Sequence, residues 1–167
     1  TSRDVALGDL NGDGALDAVF AKNGSNTVYA NDGTATPFTG GVTQNDLGST
    51  DSQAVALGDV DGDGDLDVVV ANAGDTPGNT LWLNQGGDLQ DSGQSLGSAA
   101  SRDVLLRDVD GDGDLDAVFA NDVADTVWVN DGSGDFGSAP ALTTATTAAT
   151  AALAAGDLDG DGDVDTL

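Results

Sequence analysis

The stretch Asp59-Val60-Asp61-Gly62-Asp63-Gly64-Asp65-Leu66-Asp67 places five carboxylates on alternate residues and contains no lysine or arginine. Like charges a few ångströms apart cost about 1 kcal/mol per pair even in water, so these side chains need a counter-charge. Ca²⁺ supplies one, because it takes about 6–8 oxygen ligands in flexible geometry. The two glycines permit the tight turn that folds the carboxylates inward. The stretch therefore predicts a calcium-binding loop.

The pattern occurs four times, starting at Asp9, Asp59, Asp108 and Asp157, at spacings of 50, 49 and 49 residues. Side chains at loop positions 1, 3, 5 and 9 are the predicted ligands, and position 7 contributes its backbone carbonyl. We predict about one Ca²⁺ per loop. The ligand positions are Asp9, Asn11, Asp13, Ala15 and Asp17; Asp59, Asp61, Asp63, Asp65 and Asp67; Asp108, Asp110, Asp112, Asp114 and Asp116; and Asp157, Asp159, Asp161, Asp163 and Asp165.

Three other interpretations of the loops are weaker. A solvated turn rich in aspartate and glycine does not need aspartates at alternate positions. Mg²⁺ prefers a tighter octahedron and retains its waters. An EF-hand needs flanking helices and a glutamate at loop position 12, which is Phe20, Val70 or Phe119 here. The residues after each loop are β-branched or aromatic, which favours buried strands over helices.

The composition is strongly acidic, with 30 aspartates against four basic residues and a formal net charge of −26. Nucleic acid and anionic membranes repel such a chain, so we expect neither as a partner. No apolar run approaches the ~20 residues of a membrane-spanning helix, so no membrane insertion is expected. Cysteine is absent, which excludes disulfides and thiol chemistry. Calcium sites that fill only at high concentration are typical of extracellular modules, so an extracellular or cell-surface location is expected.

Each repeat contains short strands separated by turns. An alternating segment such as Val55 to Leu57 precedes the loop, an apolar strand follows it, a second alternating strand such as Asn79 to Asn84 comes next, and a looser fourth segment ends the unit. Four short strands per repeat and no helical period predict an all-β fold of β-propeller blades, each of four antiparallel strands. The predicted units form one partial propeller domain: blade 1 at 1–49, blade 2 at 50–98, blade 3 at 99–148 and an incomplete blade 4 at 149–167.

The segment from Val5 to Ala21, VALGDLNGDGALDAVFA, resembles an FG-GAP/VCBS repeat. Repeats of this kind build the calcium-bound propellers of integrin α-subunits and of many secreted bacterial proteins. The resemblance extends over nearly the whole chain, and the D-x-[DN]-x-D-G-x-x-D loop is its most specific part. It implies a propeller with a calcium loop between the first and second strands of each blade, with metal ligands at the positions given above.

The leading functional hypothesis is a non-catalytic, calcium-stabilised extracellular module for adhesion or for binding a protein or glycan. One alternative is a structural subunit of an extracellular fibre or surface assembly, with further copies of the repeat as partners. Another is the propeller domain of a polysaccharide-acting enzyme that uses two carboxylates. Loss of turnover without unfolding on changing an aspartate outside the loops, such as Asp32 or Asp131, would favour it. Histidine, cysteine and glutamate are absent and the clustered aspartates are assigned to metal, so no catalytic residue is predicted.

One aromatic residue recurs in the second alternating strand, as Tyr29, Trp82 and Trp128. Because it occupies the same place in each repeat, we expect it to pack between neighbouring blades. An exposed platform for stacking sugar rings is the alternative.

The number of repeats is small for a closed ring. Propellers have about four to eight blades, whereas this chain supplies three and the beginning of a fourth. We therefore expect the molecule to continue beyond Leu167 with further blades.

Overall fold

Antiparallel sheets account for all of the regular structure in the computed structural model, which describes residues 1–34, 38, 42–44, 47–48, 51–74, 78–144, 148–156 and 165–166. Over these ranges the prediction of an all-β chain is confirmed, since every assigned element is a strand. The same residues include no helix long and apolar enough to span a bilayer.

Three of the sheets contain four strands each, paired in the order of the chain. Blade 1 consists of β1 (Ser2–Gly8), β2 (Asp17–Lys22), β3 (Thr27–Tyr29) and β4 (Val42–Gln44). Blade 2 consists of β5 (Ser52–Gly58), β6 (Asp67–Asn72), β7 (Thr80–Asn84) and β8 (Leu89–Ser95). Blade 3 consists of β9 (Ser101–Arg107), β10 (Asp116–Asn121), β11 (Thr126–Trp128) and β12 (Leu142–Thr143). In the fourth repeat, β13 (Ala155–Gly156) pairs with β14 (Asp165–Thr166).

These sheets are blades of a partial propeller, as the repeat pattern predicts. The division into units at residues 49, 98 and 148 stays a prediction, since strands rather than unit boundaries are observed.

The outermost strand of blade 3 differs from the sequence prediction. The repeat pattern of the sequence predicts the looser fourth segment of this unit around Phe136 to Leu142, whereas β12 contains only Leu142–Thr143. The Phe136 side chain is buried in the core, and its N–H donates to Gln94 Oε1 at 3.1 Å instead of to a neighbouring strand. Core packing of one aromatic side chain therefore replaces ladder pairing in this segment.

The predicted metal loops each connect the first and second strands of a blade. The last residue of the first strand pairs with the final aspartate of the loop, as Gly8 with Asp17, Gly58 with Asp67, and Arg107 with Asp116. Each loop is thus closed at its base by an antiparallel ladder. This is the location implied by the resemblance to FG-GAP/VCBS repeats.

The core lies between the blades. One buried cluster joins blade 1 to blade 2, and a second joins blade 2 to blade 3. Trp82 packs against the first cluster and Trp128 belongs to the second, so both side chains pack between blades as expected. The sheets approach closely: a Cβ on Gly58 would lie 2.7 Å from Leu115 Cδ1 in blade 3. Small residues on one face of a blade therefore accommodate leucines from the next blade.

Candidate metal centre

In each of the first three loops, the first aspartate fixes the backbone turn. Asp59 Oδ1 accepts a hydrogen bond from the Gly62 N–H at 2.8 Å, and Oδ2 accepts one from the Gly64 N–H at 3.0 Å. Both glycines have positive φ, 75° and 95°, which other residues rarely adopt. Asp9 and Asp108 make the corresponding pairs of bonds in their own loops. The glycine spacing thus folds the chain around one carboxylate.

In the first three loops, which the structure describes, the last aspartate is buried at the base of the turn. Asp67 is fully buried; its Oδ2 accepts the Val60 N–H and its Oδ1 accepts the Asn84 N–H, both at 2.8 Å. The equivalent residues, Asp17 and Asp116, make the same two kinds of contact. This carboxylate therefore joins the acidic loop to the start of the turn that follows the third strand.

Carboxylates at positions 1, 3 and 9 converge in two loops. In the second loop, one oxygen from each of Asp59, Asp61 and Asp67 lies within 4.8 Å of the other two. The third loop forms the same arrangement from Asp108, Asp110 and Asp116. In the first loop Asn11 replaces the aspartate at position 3, so an amide oxygen takes the place of one carboxylate. These triads are the places where the described residues could hold a metal ion.

Positions 5 and 7 lie outside the triads. Asp63 Oδ1 accepts the Asp65 N–H at 2.9 Å, and Asp65 Oδ2 accepts the Gly86 N–H at 2.7 Å. The first loop has Ala15 at position 7, where only a backbone carbonyl is available. Asp63, Asp65 and their counterparts Asp13, Asp112 and Asp114 stay predicted ligands.

The fourth loop lies mostly outside the described residues. The predicted ligands Asp157, Asp159, Asp161 and Asp163 fall there. The structure describes only the backbone of Asp165, which pairs with Gly156.

Burial and like charge oppose ionisation within the triads. Burial raises the pKa of Asp67 to about 6, from its usual 3.8. The pKa values of Asp61 and Asp110 are also raised, first by burial and then by the neighbouring carboxylates. By contrast, the Gly14 N–H bond lowers the pKa of Asp9. The two acidic triads therefore carry an electrostatic cost that a bound cation would offset.

Asparagines at the end of the third strand support the loops, a role that the sequence prediction missed. The Asn84 Nδ2 group donates to Leu66 O in its own blade at 3.0 Å and to Leu10 O in blade 1 at 2.8 Å. Asn130 donates in the same way to Leu115 O and Val60 O. The recurrence of asparagine at residues 31, 84 and 130 was the available signal.

The donor chemistry fits a hard divalent cation. The candidate ligands are carboxylate, amide and carbonyl oxygens, with no imidazole or thiolate, since the chain has neither histidine nor cysteine. Oxygen sets of this kind suit Ca²⁺ and Mg²⁺ rather than Zn²⁺ or Cu²⁺.

Comparison with known families gives matches across the loops. The sequence matches the FG-GAP-like repeat over residues 9–70 and 108–167, which together span more than half of the chain. It also matches the FG-GAP repeat over residues 53–95. No curated protein matches the chain. All four predicted metal loops fall within the matched segments.

Proposed function

The chain belongs to the family of FG-GAP-like repeat proteins, and from this premise we propose that it is a calcium-binding, non-catalytic propeller module. Repeats of this family often bind Ca²⁺ and typically occur in extracellular proteins. The calcium loops hold the first two strands of each blade together. The proposed ligand of the module is a protein or glycan outside the cell.

The observation that carries the proposal is the convergence of three aspartates in two separate loops. Each triad places three carboxylate oxygens within 4.8 Å of one another. The backbone hydrogen bonds to Asp59 and Asp67 hold two of these groups in place before any ion arrives. Carboxylates held this close repel one another while no ion is bound. A cation would therefore bind favourably, because it removes this repulsion and finds its ligands already in position.

The bound ion would supply positive charge and cross-links within the loop. In the second loop, Asp59, Asp61 and Asp67 would hold it, with Asp63 and the carbonyl of Asp65 as the further predicted ligands. Because an unfolded chain does not assemble these groups, the free energy of binding adds to the free energy of folding.

Two aspartates outside the loops, Asp32 and Asp131, do not have the raised pKa that a general acid needs. Hydrogen bonds from Thr34 lower the pKa of Asp32, and hydrogen bonds from Ser133 lower that of Asp131. A glycosidase needs one carboxylic acid that stays protonated near neutral pH, which requires a raised pKa. Neither of these two side chains meets that requirement.

Calcium titration by calorimetry tests the proposal. We expect binding of about four Ca²⁺ per chain, one per loop, and a loss of about one of these sites in Asp61→Ala. Asp32→Ala removes an exposed aspartate outside the loops and serves as the matched control, with unchanged stoichiometry. Absence of binding heat in the unaltered protein, or equal stoichiometry in both variants, would contradict the site assignment.

A further inference from the structure

The turn that follows the third strand of blade 3 contacts two of the acidic loops. This segment, residues 130–136, comes after β11, and we call it the bridging turn. One of its contact surfaces is the third loop, residues 108–116, in its own blade. The other is the second loop, residues 59–67, in the preceding blade. The two candidate metal sites with carboxylate triads are therefore joined by one short segment.

The bridging turn is bound to the third loop at loop positions 7 to 9. The Asn130 N–H donates to Asp116 Oδ1 at 2.9 Å, and the Asn130 Nδ2 group donates to Leu115 O at 3.2 Å. Gly132 lies so close to the Asp114 carboxylate that a Cβ on this glycine would clash with it. The placement of Asp114 and Asp116, both predicted ligands, thus depends partly on this turn.

The same turn is bound to the second loop at loop positions 2 and 3. The Asn130 Nδ2 group also donates to Val60 O at 2.7 Å. Gly134 packs on the neighbouring residue, since a Cβ on this glycine would be 3.3 Å from Asp61 Cβ. Asp61 belongs to the carboxylate triad of the second loop. A ligand of one site and the residues that hold the other site therefore meet at the bridging turn.

Contacts with blade 2 also fix the second half of the bridging turn. Gln94 of β8 donates through Nε2 to Gly134 O at 2.6 Å and accepts the Phe136 N–H on Oε1 at 3.1 Å. Within the turn, the Gly134 N–H donates to Asn130 Oδ1 at 3.1 Å. The Phe136 side chain is buried in the core between the two blades. Because the turn is anchored on both sides, a displacement of one loop is transmitted to the other.

Blade 2 repeats this arrangement with the first loop, residues 9–17. The Asn84 Nδ2 group donates to Leu10 O of that loop and to Leu66 O of its own blade. A Cβ on Gly87 would be 3.3 Å from Asn11 Cβ, at loop position 3. The contact between a loop and the turn of the next blade therefore recurs at both interfaces between complete blades.

We propose that the bridging turn couples the second and third loops, so that Ca²⁺ bound in either loop raises the calcium affinity of the other. This coupling rests on the proposed calcium function. With the second loop occupied, Asp61 and the backbone at Val60 stay in position for the turn. The turn in place then holds Asp114 and Asp116, so the third loop loses less conformational freedom when it is filled. By linkage the effect is equal in both directions.

Electrostatic repulsion between the two bound cations would act in the opposite direction. Like charges at neighbouring sites weaken the second binding step, whereas a shared turn strengthens it. The sign of the measured coupling therefore distinguishes the two effects.

Calcium titration followed by backbone amide NMR tests the proposal, because it monitors each loop separately. The glycine N–H groups bound to Asp59 report on the second loop, and those bound to Asp108 report on the third. Asp110→Ala removes one carboxylate of the third triad and leaves the residues that contact the bridging turn unaltered. We expect this variant to bind calcium weakly in the third loop. Through the turn, it should also lower the affinity of the intact second loop at least about fivefold.

Two glycine substitutions test whether the effect passes through the turn. Gly134→Asn places a side chain against Asp61, and Gly137→Asn is the matched control. The two glycines have similar φ, 75° and 70°, and asparagine tolerates such angles better than most residues. A Cβ at residue 137 would have no described atom within 4 Å apart from its chain neighbours. In the Gly134→Asn background, Asp110→Ala should change the affinity of the second loop less than about twofold. In the Gly137→Asn background the full effect should persist.

The outcomes separate the coupling from the calcium sites themselves. An unchanged or tighter second loop in Asp110→Ala, or an equal effect in both glycine backgrounds, would overturn the coupling and leave the sites standing. An unchanged response of the third loop in Asp110→Ala would contradict the site assignment, and the coupling with it. Should Asp110→Ala not fold, Asp110→Asn replaces it, because the first loop already has Asn11 at this position. We expect the same pattern from this variant, with smaller changes.

Discussion

The carboxylate of Asp67 links folding to pH, and it is one of the predicted metal ligands. Burial raises its pKa from 3.8 to about 6, so between these values the folded chain holds a proton that the unfolded chain has released. The contribution of this group to the free energy of unfolding therefore falls as pH rises from about 4 to 6 in the absence of metal. Above that window the group is ionised in both states and its contribution is constant. Calcium binds the ionised form, so its affinity should rise with pH over the same range.

This pH dependence is measurable as a difference between two proteins. Urea unfolding in chelator at several pH values, compared between the unaltered chain and Asp67→Asn, isolates the contribution of this one group. We expect the difference in unfolding free energy between the two to change across the window and to level off above about pH 6. A difference that does not vary with pH would mean that Asp67 has an ordinary pKa.

Substitutions at positions 5 and 7 test the register of the ligands. Asp63→Ala should lower the calcium affinity of the second loop at least about tenfold, because a ligating carboxylate is lost. Asp65→Ala should have a smaller effect, because position 7 is predicted to ligate through its carbonyl and the first loop already has Ala15 there. Calcium titration of both variants under one condition gives the comparison. Equal losses would show that the assignment of positions 5 and 7 is wrong.

At the residue scale, the sequence indicated the position of the acidic loops but not the asparagine contacts that support them. Aspartates at fixed spacing predicted that positions 1, 3, 5 and 9 converge. Asp59, Asp61 and Asp67 do so, whereas Asp63 is not part of this triad. Their role as metal ligands stays a prediction. The recurrence of asparagine marked the position of Asn84, but its two carbonyl partners were not predictable, because they lie 18 and 74 residues away in sequence. Contacts between residues so far apart in sequence depend on how the blades pack. A local sequence pattern does not specify that packing.

Asn84 also gives a prediction at the scale of the elements, because it ties the end of β7 to the loops of two blades. Its side chain is fully buried and makes hydrogen bonds to Leu10 O, Leu66 O and the Gly87 N–H. Asn84→Ala leaves these groups unpaired and should lower the free energy of unfolding by about 2–4 kcal/mol. Asn31→Ala is the matched control and should cost less, since among the described residues its side-chain amide donates only to Leu16 O of its own blade. Denaturant unfolding in saturating calcium measures both, and a larger loss for Asn31→Ala would refute the role of Asn84.

The inner strands follow from the sequence more closely than the outer ones. The strands β2, β6 and β10 contain β-branched, aromatic and alanine side chains on both faces and are largely buried, so composition alone identifies them. Each outer strand pairs with only one neighbouring strand and has a weaker alternation of apolar and polar residues. The packing of individual side chains therefore determines where it begins. In blade 3 the burial of Phe136 shifts the pairing to Leu142–Thr143.

The difference between the three first strands also required the structure. The sequences of β1 and β5 are nearly alike, yet Val5 is 48% exposed and Val55 only 7%. The pattern of valine and leucine shows that a face is apolar, but not whether another blade covers it. Whether the apolar side chains of a first strand are exposed depends on how the blades are arranged.

At the scale of the whole molecule, repulsion between negative charges opposes the fold in addition to the loss of conformational entropy. A formal charge of −26 on 167 residues favours an expanded chain, and the loops concentrate that charge where the backbone turns most tightly. The core between the blades consists mostly of valine, leucine and alanine, with few aromatic residues to add buried area. Calcium ions that neutralise several loops at once would therefore stabilise all blades together.

Thermal unfolding followed by circular dichroism, in millimolar calcium and in excess chelator at the same ionic strength, tests this account most directly. The account predicts a single cooperative transition at markedly higher temperature in calcium, because several sites lose their counter-charge on chelation. Magnesium at the same concentration should restore less of the stability, since it demands a tighter octahedron and retains its waters. Superimposable melting curves in calcium and in chelator would contradict the account.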